Sequence, residues 1–402
     1  MTAVVPARHP SAPRPIPSGV EVFSRLLRVD GPTAAQFAGL GESLMDGDPL
    51  MDAVVADLAG SGMAAGRAAF ERAVENGIDS LEDPPAALRE LFGVVEATPD
   101  WVDPARLRLA AQVMQSGGED GLYIARDVAL LGGYLFSGFN QTLLRTGALE
   151  KGSNTRFAET TRWALDVISE GGLAIGGAGY RSTLRVRFIH SLVRRHVAAL
   201  PDWDSGVWGL PINQTDMAAT LVGALVAPSV GVAGLGIVNS PREYEAIAHL
   251  TRYVGWLMGV DDDYLPTSFA DAIRILNHTS AALAVPDDSS KLLAAPMADD
   301  PKHWQYPVLP GVRRSIARSQ HLGIARAFLG RTSMRRLGLT DRAIPWYPPL
   351  VFPVNLIRSA AAQLPGGRAR AARRGDRRAE AFMATMTGHE VVIGGAAIAH
   401  AS

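Results

Sequence analysis

The chain has 402 residues, 47% of them apolar and 20% charged, which is enough to bury a large core. A formal net charge of −1 argues against a general electrostatic binder of nucleic acid. The absence of cysteine excludes disulfides, thiolate-held haem, cysteine zinc sites and iron–sulfur clusters.

Residues 1–20 are rich in proline and hold no basic segment followed by an apolar run. A mobile arm and cytoplasmic residence are the expectations there. Beyond it, helical spacing dominates, and no alternation of strands with helices supports a parallel sheet. Amphipathic runs appear at 64–76, 85–96 and 121–146. Asp103 before Pro104 reads as an N-cap followed by a proline-started helix. The glycine-rich stretch 171–179 separates two further helices and permits a tight reversal.

The first of these two helices places Arg156, Thr160 and Trp163 on one face. The ordinary partner for Arg156 is Glu159; the functional alternative is a fixed cation and a hydroxyl facing one cavity. On the second helix Val186, His190, Val193 and Val197 fall at helical spacing, so an imidazole stands in an apolar stripe flanked by arginines. Such an imidazole is either a core histidine or the kind of ligand a haem iron takes. His196 points away from it, six residues being 240° round the axis. His249 lies one turn after Glu245, its expected partner.

Residues 217–241 hold no charge and are long enough to cross a bilayer. Pro228 interrupts them, so a buried core helix, a break and a second short buried piece are expected rather than a membrane span. Helices are also expected over 240–259 and 268–284. After residue 310 the composition turns basic, with Arg313, Arg314, Arg318 and Arg326 among others on a helical stretch. The segment 345–353, rich in proline and aromatics, reads as a braced turn packed on the core. The region as a whole is either a solvated basic face or a peripheral contact with anionic lipid or an acidic partner. Three parts are expected: an arm over 1–20, a helical body over 21–345 and a basic extension over 346–402.

Several motifs are missing. His389-Glu390 is followed by Val391, Val392 and Ile393, not by the second histidine of a zinc protease helix. No Glu-x-x-His pair suits a di-iron bundle, and Gly234-Leu235-Gly236 lacks the rest of a dinucleotide fingerprint. There is no nucleophile elbow and no phosphate loop.

Set together, several stretches resemble the latex-clearing proteins, or rubber oxygenases, and the related fungal oxygenase of mycophenolic acid biosynthesis. They are 99–103 (Pro-Asp-Trp-Val-Asp), the Arg156-x-x-x-Thr160 element, His190 at its interval downstream, and 209–213 with Asp216. Leu235-Gly236-Ile237 and the distinctive 252–260 with Leu265-Pro266 complete the set. The resemblance implies an all-α fold with a globin-like core plus extra helices. It also implies one haem b ligated by His190, with Arg156 and Thr160 lining the haem pocket. Dioxygen would be the oxidant.

Two departures stand out. Glu159 occupies the place where some rubber oxygenases carry a lysine as an alternative iron ligand. Asn140 stands by spacing where a glutamate acts as base, and asparagine cannot take a proton. The expectation is therefore a haem-dependent oxygenase or oxidase acting on a small apolar metabolite, isoprenoid or polyketide-like. The rivals are a secreted rubber oxygenase that cleaves polyisoprene double bonds and a non-catalytic helical binding protein.

Overall fold

The computed structural model describes residues 5–388 and 391, so His389, Glu390 and His400 lie outside the described residues. The described chain is helical throughout, with no strand. Capping chemistry sets many of the boundaries. Five helices, α1 (Ser18–Leu26), α2 (Ala34–Glu42), α3 (Pro49–Ser61), α4 (Met63–Asn76) and α5 (Ala86–Val95), form the N-terminal quarter. Then α6 (Pro104–Ser116) starts where Asp103 accepts from the Ala105 and Arg106 amides, as the Asp-Pro pair predicts. Its partner in packing, α15 (Pro241–Met258), starts at a Ser240–Glu243 capping box.

The run 121–146 is not one helix. It divides into α7 (Gly118–Ile124), a π-helical turn (Ala125–Leu130), the single turn α8 (Leu131–Gly133) and α9 (Ser137–Arg145). The wider turn accompanies the burial of two adjacent charges, Arg126 and Asp127, which bond each other at 2.6 Å. After α10 (Ala148–Lys151) comes the antiparallel pair α11 (Ser153–Val167) and α12 (Ala178–Ala198), joined by the glycine loop.

A short α13 (Ser205–Trp208) leads to α14 (Gln214–Gly231), capped by Asn213 and continued by a 3-10 turn, Val232–Leu235. This segment, whose one charge is Asp216 in its first turn, is long and apolar enough to span a bilayer, but it packs against α15, α16 (Phe269–Ala282) and the π-helical turn. Leu221, Val222, Leu225 and Val226 are buried, each contributing ~1.5–3 kcal/mol of burial. The expected break at Pro228 does not occur: the helix runs through the proline to Gly231. Packing of the buried residues on both sides of the proline, Leu225, Val226, Ser229 and Val230, outweighs the one lost hydrogen bond.

The chain continues through α17 (Asp288–Asp299), a long α18 (Pro310–Arg336) bent at Gly330, α19 (Tyr347–Ala362) and α20 (Gly367–Thr387). The basic α20 lies along α6 and α7, burying Ala372, Gly375, Ala379 and Phe382. The segment 345–353 is not a turn packed on the core; most of it is the start of α19, whose prolines sit in its first two turns.

The described part of the proline-rich N-terminus lies against the body. The Ala7 and Arg8 amides donate to the Gly206 and Val207 carbonyls, and the Arg14 amide donates to Ala281. Arg8 is buried and bonds Asp216 at 2.7 Å. A buried charge must keep its partner, and that requirement fixes the segment.

Candidate active site

The α11–α12 hairpin closes tightly at its loop end. A Cβ on Gly179 would lie 2.5 Å from the Val167 Cα, so only glycine permits this approach. One turn further along, Trp163 Nε1 donates to Thr183 Oγ1 at 3.0 Å. The same register, continued, sets Thr160 opposite Val186 and Arg156 opposite His190. Burial changes along this line. Trp163, Val167, Gly179 and Thr183 are buried, whereas Thr160 is exposed and Arg156, Val186, Ile189, His190 and Val193 are only partly buried. The two stripes therefore become less buried with distance from the loop, and this half-buried stretch, with Arg156 and Thr160 on the α11 wall and His190 on the α12 wall, is called the wedge below.

The His190 wall is fixed by buried ion pairs on the same helix. Arg187 donates through Nε and Nη2 to the two oxygens of Asp48, at 2.6 and 2.7 Å, and through Nη1 to the Leu257 carbonyl at 3.1 Å. Arg194 bonds Asp52 and the Ile212 carbonyl, and Ser191 also donates to Asp52. These residues stand three before, one after and four after the histidine, so they set the rotation of α12 as a whole. The stretches 209–213 and 252–260 supply the receiving carbonyls. Gln214 ties them together by donating to the Gly47 and Gly259 carbonyls. Gly259 has φ +79°, and a Cβ there would press into Asp48 and Arg187 at about 2.5 Å.

His190 itself is held neutral. Burial pushes its pKa down to about 4, with Arg194 adding to the effect and Asp48 opposing it. Its Nδ1 is buried without a hydrogen-bond partner. A neutral imidazole offers one nitrogen lone pair to a metal. Among the described residues no group of three or more His, Asp or Glu could hold a bare ion. One imidazole beside an apolar wedge suits a metal whose other ligands come from its own macrocycle, and the donor set thus fits a haem.

The opposite wall is held differently. Arg156 does not pair with Glu159, which bonds Lys151 at 2.6 Å. It donates through Nη2 to the Tyr134 hydroxyl at 2.5 Å and lies over that ring. Burial raises the Tyr134 pKa, so the phenol stays protonated. Thr160 Oγ1 donates to the Arg156 carbonyl at 3.0 Å. Asn140 is fully buried, and its Nδ2 donates to the Tyr134 carbonyl at 2.9 Å and to Ser289 Oγ at 3.0 Å. It braces the turn that carries Tyr134.

Behind this wall lies a buried polar cluster. His321 bonds Asp127, Arg126 bonds Asp127 and the Met297 carbonyl, and Asp300 accepts from Ser153 at the start of α11. Burial lowers the His321 pKa despite Asp127, and burial raises that of Asp300.

The sequence put forward Arg156, Thr160 and His190, which lie on the two packed helices α11 and α12. It missed Tyr134, whose bond to Arg156 reaches across two intervening helices, α9 and α10, and Asp48 and Asp52, which meet α12 from about 140 positions away. The arginines flanking His190 were the available signal for buried acidic partners. His249 also has another partner than expected: its Nε2 accepts from the Asp103 amide at 2.9 Å, while Glu245 accepts from the Phe269 amide.

Residues 123–363 match the family described as ER-bound oxygenase mpaB/B'/rubber oxygenase, catalytic domain. A rubber oxygenase of Streptomyces sp. (strain K30) is 26% identical over 194 residues, 46% of this chain and 46% of the relative. The chain thus matches about half the length of that curated relative. Latex clearing protein LCP in its closed state superposes with a TM-score of 0.62 at 20% identity, covering 87% of this chain and 94% of that one, a likeness of fold.

Proposed function

Since the chain belongs to the mpaB/B' and rubber oxygenase catalytic-domain family, we propose that it is a haem b-dependent oxygenase or oxidase acting on a small apolar metabolite. The observation that supports this reading is a neutral imidazole whose Nδ1 is buried without a hydrogen-bond partner, on a helix fixed by buried ion pairs and packed against the helix of Arg156 and Thr160. His190 would hold the haem iron. When bound, the haem supplies activation of dioxygen.

The chain's own residues do the rest. Val186, Ile189 and Val193 line the His190 side and exclude water from it. Arg156, pinned by Tyr134, offers a fixed cation whose remaining N–H groups can donate to a polar oxygen, in a setting where such bonds count for more than in water. Thr160 keeps oxygen lone pairs free to accept. Asn140 takes no proton, so no carboxylate base acts from that position. The Tyr134 hydroxyl holds its own proton and orients Arg156.

Iron content and a pyridine-haemochrome assay of protein made with ample haem test the reading. About one haem b per chain supports it. Iron-free protein would instead leave a non-catalytic binding protein. The match to a rubber oxygenase favours polyisoprene as a second substrate reading. Aldehyde and ketone products from cis-polyisoprene would establish it.

A further inference from the structure

Helix α19 is built inside out. A globular helix turns its apolar stripe to the core and its polar face to water. Here the buried arc carries Asn355 and Ser359, and most of the remaining surface is apolar and exposed. Asn355 Nδ2 donates to Asp120 and to the Leu235 carbonyl, both at 3.1 Å, and Ser359 Oγ donates to the Gly236 carbonyl at 3.2 Å. The Tyr347 hydroxyl donates to the other Asp120 oxygen. These polar bonds hold the helix down while Leu350, Phe352, Leu356 and Ile357 point outward, Ile357 being 70% exposed. Ile344 before the helix and Leu364 after it, 72% and 65% exposed, extend the patch at both ends. Trp346 links it to α18 by donating to Ser319.

The only charge on α19 is Arg358. Arg342 precedes the helix, and α20, which packs against α19, exposes Arg370, Arg373, Arg374 and Arg377 on its first three turns. None of these arginines has an acidic partner among the described residues. An exposed apolar helix rimmed by unpaired cations complements a surface that is apolar within and anionic at its edge. A second copy of the chain fits less well, because pairing like faces would set one arginine rim against the other.

We propose that α19, rimmed by the arginines of α20, docks the protein onto an anionic phospholipid membrane, with Leu350, Leu356 and Ile357 entering the headgroup boundary. The face is separate from the wedge, so docking and haem retention are independent.

The test is co-sedimentation of the full chain with vesicles of phosphatidylcholine alone and of phosphatidylcholine mixed with phosphatidylserine. Binding is expected only to the mixed vesicles, weakening as salt rises. The double variant Leu356→Glu/Ile357→Glu should abolish it, and Arg373→Glu/Arg374→Glu should weaken it by about tenfold or more. Both variants should keep the far-UV spectrum of the parent. No binding by the parent chain overturns the proposal. So does unchanged binding by the leucine–isoleucine variant. A concentration-dependent dimer in ultracentrifugation that this variant dissolves would assign the face to a second copy instead.

Discussion

The two walls of the wedge are held in opposite ways. The α12 wall is pinned by Arg187 and Arg194, whose acceptors lie on α3 or just before it, before α14 and at the end of α15. The α11 wall is held at its reactive end by single side-chain bonds to separate segments: Arg156 to Tyr134, Glu159 to Lys151, Ser153 to Asp300, and Asn154 to Trp304 and the Met386 carbonyl. A wall that must present one nitrogen in one place is built rigid. A wall that meets a variable apolar guest is held by a few bonds and can adjust. This contrast makes α12 the structural reference of the site and α11 its adaptable side.

Breaking the rigid wall should have the largest effect. Arg187→Ala leaves Asp48 buried without its main partner, and a loss of about 3–5 kcal/mol is expected in the denaturant midpoint. A loss below about 1 kcal/mol would mean that α12 is not anchored there.

The adaptable wall should respond less. Asn140→Asp removes both donated bonds and places a carboxylate beside the Tyr134 carbonyl, for a cost of about 1–3 kcal/mol at neutral pH. Protonation of the new acid should recover part of that as pH falls. Tyr134→Phe should cost about 1 kcal/mol in stability while freeing Arg156. Its signature is an altered rate of autoxidation of the haem-loaded ferrous protein with unchanged haem content. Equal behaviour of parent and variant would remove Tyr134 from the site.

Acid offers the gentlest perturbation. Burial lowers the pKa values of His9, His249, His278 and His321, so the unfolded chain takes up protons that the folded chain refuses. Stability is full above the unfolded value of about 6.5 and declines as pH falls below it. His190, buried on α12, adds to the effect, so the unfolding free energy from denaturant titration should fall between neutral pH and about pH 5, and an unchanged value would contradict the burial of these histidines.

Much of this was legible in the sequence because local rules coincide with the fold. Asp103 with Pro104 and Ser240 with Glu243 name their helix starts, and Arg156 and Thr160 on one helix and His190 on the next lie in the antiparallel pair that the glycine loop announces. The rest depends on distant partners. Nothing near Arg126 announces the π-helical turn, since its cause is burial against Asp127 and Met297. The N-terminal segment reads as mobile until Arg8 meets Asp216, 208 positions away. Residues 345–353 read as a turn because proline usually breaks helices, yet in the first turns of α19 it breaks nothing.

The haem spectrum of His190→Ala, set beside that of His196→Ala, tests the central claim most directly. Both histidines lie on α12, but His196 is exposed on another face. His196→Ala should keep the parent Soret band and haem content, whereas His190→Ala should lose haem or show a shifted band with its far-UV spectrum intact. Full haem content and an unchanged Soret band in His190→Ala would contradict the assignment of His190 as the iron ligand.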